Sequence, residues 1–96
     1  MSRRDFYVVT YDIPDDRRRL NVARLLERYG ERVQYSVFEM YLTQEEWKRL
    51  WKDLTRILVE EEDHVRVYRL CLVCRKTVVV WGQGEPTSPP GIVLVI

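Results

Sequence analysis

Asp12 closes an apolar, β-prone run, Phe6-Tyr7-Val8-Val9-Thr10-Tyr11, and is followed at once by Ile13-Pro14-Asp15-Asp16-Arg17-Arg18-Arg19. A carboxylate at the C-terminal end of a strand sits where rigid backbone meets an exposed turn, a position from which it can hold a metal ion or a water against a substrate. Magnesium takes oxygen ligands, keeps several waters and needs only one or two carboxylates beside a substrate phosphate. Arg17, Arg18 and Arg19, with Arg32, are candidate phosphate contacts through charge-assisted, fork-shaped hydrogen bonds. The chemistry this suggests is metal-assisted phosphodiester hydrolysis, with Mg2+ or Mn2+ at Asp12 activating water and neutralising charge. Spacing alone serves a second reading equally well, in which Asp12 caps the approach to a helix or is a buried acid paired with an arginine. Each chain offers one such carboxylate, so a two-fold dimer bringing Asp12 to its symmetry mate would supply the second.

Other chemistries find little support. His64 is the sole histidine, so no serine–histidine or cysteine–histidine arrangement is available, and no glycine-rich phosphate loop is present. Beside the acidic run Glu60-Glu61-Glu62-Asp63, His64 reads as solvated or structural ahead of catalytic. Cys71 and Cys74 form one C-x-x-C, but a zinc site normally needs four ligands and a thioredoxin-like pair would adjoin a βαβ pattern. They are expected as small reduced core residues, a metal or redox role being the lesser alternative.

Ninety-six residues, 46% hydrophobic and 32% charged, make one globular domain. No apolar stretch approaches the roughly 20 residues of a membrane span, and Met1-Ser2-Arg3-Arg4-Asp5 leads into the first strand without a signal-peptide core, so a cytoplasmic location is expected. The net charge of +1 makes no global case for nucleic acid. Its distribution is uneven, at +2 over 1–38, −4 over 39–63 and +4 over 64–76. A local basic surface can form if the first and third segments become neighbours; otherwise these charges are solvated outer faces.

The elements that must position Asp12 follow from periodicity. A strand over 6–12 meets a helix over 15–29, with Asp15 or Asp16 as its cap and Gly30 as the residue that ends it. Period two then runs through 33–42. Thr43-Gln44-Glu45-Glu46 is a capping box opening a helix over 44–59, whose stripe of Trp47, Leu50, Trp51, Leu54, Ile57 and Leu58 places both tryptophans in the core rather than on a base-stacking platform. Strands over 64–72 and 77–81 follow, then a Gly/Pro linker over 82–91 and a terminal strand over 92–96, which must pair with a sheet edge. A break in 33–42, into 33–38 and 39–43, restores the order β-α-β-β-α-β. The fold class is therefore α+β, a ferredoxin-like sandwich over 1–81 with two helices on one face of an antiparallel sheet. The other face stays apolar and calls for a partner, and the linker is long enough to carry the terminal strand onto the sheet of a homodimer mate.

Tyr11-Asp12-Ile13-Pro14-Asp15-Asp16-Arg17-Arg18-Arg19 with Val22, then Gly30-Glu31-Arg32-Val33-Gln34-Tyr35-Ser36-Val37-Phe38-Glu39, resembles the CRISPR-associated protein 2 family of small adaptation proteins over nearly the whole chain. The resemblance implies a ferredoxin-like homodimer and a metal-dependent endonuclease cutting single-stranded RNA or double-stranded DNA, with Asp12 binding magnesium. It implies roles for Tyr11, Arg19, Arg32 and Phe38, Tyr11 in catalysis and the others at the nucleic acid. It also implies a central adaptor between two dimers of the CRISPR-associated integrase, where a basic surface holds the duplex being inserted. Asn21 departs from the pattern, standing where many members carry a basic residue. Two alternatives stay open: a non-catalytic DNA-binding scaffold of the integrase complex, and a ribonuclease toxin of a toxin–antitoxin pair built on a similar small fold.

Overall fold

A computed structural model describes residues 3–87. Its elements are β1 (Asp5–Asp12), α1 (Asp16–Glu27), β2 (Glu31–Gln34), β3 (Val37–Leu42), α2 (Gln44–Ile57), β4 (His64–Leu70) and a one-turn helix α3 (Leu72–Arg75). The strands form one antiparallel sheet in the order β2-β3-β1-β4, the ferredoxin-like arrangement expected. β1 lies between β3 and β4, so the strand that carries Asp12 is held by a ladder on both sides.

Alternation along the strands divides the sheet. Tyr7, Val9 and Tyr11 of β1 face the helices, together with Phe38, Met40 and Leu42 of β3. They meet Val22, Ala23, Leu25 and Leu26 of α1 and Leu50 and Leu54 of α2 in one core. The opposite face carries Phe6, Val8 and Thr10, flanked in register by Tyr41, Glu39 and Val37 on β3 and by Leu70, Tyr68 and Arg66 on β4. Neither α1 nor α2 covers it. Part is roofed by the chain beyond β4: the Arg75 guanidinium lies over Phe6 at 5.0 Å and Tyr41 at 6.0 Å. It donates to the Thr87 carbonyl at 2.7 Å, which also accepts from the Tyr41 hydroxyl.

Local chemistry sets the helix ends. Asp15 caps α1, its carboxylate accepting from the Arg18 N–H at 2.8 Å. The Thr43–Glu46 capping box is formed, and Glu46 also takes the Arg4 guanidinium at 2.9 Å. Gly30 has a different purpose from the one expected. Its φ is not positive; instead a Cβ there would lie 2.3 Å from the Glu39 carbonyl oxygen and 2.5 Å from Met40 Cβ. Glycine is needed for close approach to β3, not for a left-handed turn.

Several expectations are corrected. The long period-two stretch breaks at Tyr35-Ser36, not between 38 and 39, because the two-residue turn lets Arg32 pair with Phe38 and Gln34 with Val37. Residues 77–81 form no strand: Val79 and Trp81 are 86% and 94% exposed, and β propensity without a cross-strand neighbour does not make a strand. The strand expected to reach Leu72 stops at Leu70, where Cys71 turns to cap α3; both cysteines are exposed rather than core. Trp47 packs on the core and stacks on Tyr7, but Trp51, stacked on Trp47, remains 41% exposed. The terminal strand over 92–96 lies outside the described residues.

Candidate nucleic-acid interface

Tyr11 and Asp12 are consecutive on β1 and therefore point to opposite sides of the sheet. Asp12 is exposed, on the side away from α1 and α2, and His64 is its cross-strand partner on β4. Arg66, two residues along the same face, donates from Nε to His64 Nε2 at 3.0 Å. This end of the uncovered face thus groups a carboxylate, an imidazole and a guanidinium. Sequence reading placed Asp12 here but missed His64 and Arg66 as its neighbours. Their signal was the alternation of 64–70, which becomes informative only once β4 is paired with β1.

On the helix side, Tyr11 is buried, its ring 6.2 Å from Phe38 and its hydroxyl 3.5 Å from an Arg32 nitrogen. Arg32 lies over the Phe38 ring at 5.3 Å, within cation–π range. Phe38 is itself fully buried. Its expected role as a nucleic-acid contact is corrected: a ring with no accessible surface touches no substrate, and it orients Arg32 and Tyr11 instead. Arg19 donates to the Ile13 carbonyl at 2.9 Å and pairs with Asp16. The hydrogen bond with Asp16 leads the causes that hold its guanidinium above the ordinary arginine value, and Tyr35 adds to them against the opposing effect of burial. Tyr11, Asp16, Arg19, Leu20, Arg32 and Tyr35 border a cleft of about 300 Å³.

The other arginines separate. Arg17 is exposed on the first turn of α1. Arg18 is turned onto Asp63, with Nε–Oδ2 at 2.7 Å and a second nitrogen on Oδ1 at 3.0 Å. Asp63 is almost wholly buried and also accepts from the Val59 N–H at 2.8 Å. Arg18 was expected at the phosphates; its fork is instead engaged in tying α1 to the loop before β4.

Asp12 suits a hard cation as an oxygen donor on a braced strand. Among the described residues no group of three or more His, Cys, Asp or Glu side chains could hold a metal, whereas magnesium in general needs only one or two protein carboxylates beside water and substrate phosphate.

Residues 5–78 match the family model described as CRISPR associated protein Cas2. The chain belongs to the Cas2 family. Among its relatives, the "CRISPR-associated endoribonuclease Cas2 3" of Synechocystis is 51% identical over 89 residues, spanning 93% of this chain and 97% of the relative. The crystal structure of a hypothetical protein, TT1823 from Thermus thermophilus, superposes with a TM-score of 0.78 at 41% identity, covering 88% of this chain and 99% of that one. A chain of a "Partial Cas6-RT-Cas1--Cas2 complex" superposes with a TM-score of 0.67 at 30% identity, over 79% and 89% of the two chains. The resemblance carried by the Tyr11–Arg19 and Gly30–Glu39 blocks therefore holds, and the site described above lies within the part matched to the Cas2 family.

Proposed function

We propose that this chain is a metal-dependent endonuclease that hydrolyses phosphodiester bonds in RNA or double-stranded DNA, and that as a homodimer it joins the CRISPR-associated integrase in adaptation. The observation that carries the hydrolytic reading is Asp12, exposed at the braced end of β1 on the uncovered face, with His64 and Arg66 beside it. The endoribonuclease name of the Synechocystis relative supports the same chemistry. Asp12 and its symmetry mate would hold Mg2+ or Mn2+, which supplies an acidified water and positive charge next to the scissile phosphodiester. Arg66 presents a guanidinium to the phosphate on that face. Arg17 draws the polyanion toward the strand end.

The adaptor reading draws support from the Cas1–Cas2 assembly in which a structural neighbour was solved. It requires a surface that grips duplex backbone and no chemistry at Asp12. A chain in which no helix of the described residues is long and apolar enough to cross a membrane suits both roles.

Asp12→Asn is the discriminating variant. In highly purified protein it is expected to lose about a hundredfold or more of the cleavage rate, with dimerisation unchanged, and excess chelator should do the same to the wild type. Undiminished cleavage in either case removes the metal-dependent reading. In cells, spacer insertion that survives Asp12→Asn assigns adaptation to the scaffold, and its loss ties adaptation to the carboxylate.

A further inference from the structure

Cys71 and Cys74, the only cysteines in the chain, have no part in the site at Asp12. A cysteine buried in a core is inert packing. Both are instead exposed, on a one-turn helix whose Leu72 and Val73 are exposed as well. The turn holds the two thiols to one another: Cys71 caps it in extended backbone, and its Sγ accepts from the Cys74 N–H at 3.5 Å. Four residues closing one turn bring the first and last Cα within about 7 Å, and a disulfide usually spans about 4.4–6.8 Å. A bond between them asks for little backbone movement. Among the described residues no group of three or more His, Cys, Asp or Glu side chains could hold a metal, which leaves the pair to thiol chemistry rather than to a tetrahedral zinc. The two thiols are also unequal. The Cys74 N–H, then the Cys74 thiol, holds Cys71 below the ordinary cysteine value, although the Asp5 carboxylate works against it. The reciprocal contact holds Cys74 above that value. Cys71 therefore supplies more of the thiolate, the form that attacks a disulfide.

We propose that Cys71 and Cys74 are a redox pair, closed to an intramolecular disulfide by a small-molecule disulfide, and that the bond fixes the turn from which Arg75 roofs the sheet. In the first step the Cys71 thiolate attacks one sulfur of the small disulfide, whose S–S bond breaks. One thiolate leaves and takes up the proton that Cys71 gave to solvent. In the second step the Cys74 thiolate attacks Cys71 Sγ. The bond within the chain forms, and the second small thiolate leaves with the proton that Cys74 lost. Two electrons pass from the pair to the small disulfide, which ends as two thiols. Arg75 follows Cys74 directly, its N–H bonded to the Cys71 carbonyl at 2.9 Å. Its guanidinium lies over Phe6 and donates to the Thr87 carbonyl. Tying the cap to the third residue of the turn stiffens the segment that covers Phe6 and Tyr41. In a reducing compartment an exposed pair rests as the dithiol, so the bond is a response to oxidant and not a standing brace. The pair lies beside the Phe6 end of β1, whereas Asp12 ends the same strand, and nothing in this step draws on the nuclease reading.

The test is exchange of the full chain with oxidised glutathione, read by intact mass and by alkylation of the remaining thiols. Wild type is expected to end two hydrogens lighter, with both cysteines closed to alkylation and recovered by dithiothreitol. Cys74→Ser should stop at the mixed disulfide, one glutathione held at Cys71, while Cys71→Ser should react about tenfold more slowly. Two free thiols remaining in wild type, disulfides formed only between chains, or faster reaction in Cys71→Ser than in Cys74→Ser each overturn the pair. In oxidised wild type, hydrogen exchange of the 74–78 amides should slow about tenfold, as closing a short loop implies. Unchanged exchange there overturns the link to the Arg75 roof. Coincident thermal unfolding of the reduced wild type and both serine variants shows that their differences are chemical.

Discussion

Neighbouring arginines on one helical turn serve different ends, and sequence could not part them. Arg17 and Arg18 are equivalent in type and adjacent in position, but their Cα–Cβ bonds diverge by about 100° around a helix. One side chain meets solvent and the other meets Asp63, a residue 45 positions away. The hydrogen bond from Arg18, then that from the Val59 N–H, holds the Asp63 carboxyl below the ordinary carboxylate value despite its burial. A carboxyl whose value falls on folding stabilises the native state above its unfolded value of about 3.9, and that stabilisation disappears as pH falls through the lowered one. Asp63→Asn is therefore expected to unfold at lower urea concentration than wild type at pH 7, with the gap closing as pH drops below about 4. A gap that persists unchanged at pH 2 would mean the pair contributes through shape and not through charge. Arg17→Ala, by contrast, should leave the urea midpoint unchanged.

Among the elements, what was legible was what the chain states locally. Asp15 and the Thr43–Glu46 box mark helix starts through groups only three residues apart, and the strands around Tyr7 and Met40 follow from period two. What escaped depended on pairing. The break at Tyr35-Ser36 was expected a few residues later because both strands it separates share the same alternation, and only the register of β2 against β3 decides where the turn falls. Residues 77–81 have the composition of a strand but form no ladder, although β2 and β4 are the outer strands of the described sheet and 78–81 border the same cleft as β2. Gly30 shows the same limit: glycine after a helix suggests a left-handed cap, whereas its real constraint comes from β3, nine residues further on. Gly30→Ala must push backbone apart, which costs about 1–3 kcal/mol. Urea unfolding at fixed protein concentration should show that loss, and an unchanged midpoint would mean that β3 yields freely at this point.

For the molecule as a whole, the charge segments noted in the sequence are sorted by the fold. β1 and β4 lie side by side, but the only charged residues of β1 itself are Asp5 and Asp12. Arg66 and Arg69 of β4 therefore lie beside a strand of carboxylates, Arg69 being 3.9 Å from Asp5. The acidic 39–63 segment supplies α2 on the other layer and Glu39 of β3 beside Val8. The face that carries Asp12 lies away from α1 and α2 and exposes Val8 in part and Tyr68 to 49%. If a second copy closes this face, Tyr68→Asp should shift the sedimenting species from dimer to monomer without altering the circular dichroism of the fold. A wild type that sediments as a monomer, or a variant that stays dimeric, would argue against that pairing. The candidate residues Asp12 and Arg19 were readable because they belong to one short block; the proximity of His64 and Arg66 to Asp12 was not, because it is made across the β1–β4 ladder. The back-to-back placement of Tyr11 and Asp12 also governs how this protein can vary. One residue added to or lost from β1 ahead of them would turn the acid inward among apolar rings and thrust the phenol into water, ruining packing and reactivity in a single step. Length changes are confined to the connections, and any retuning of this strand must proceed by replacement alone.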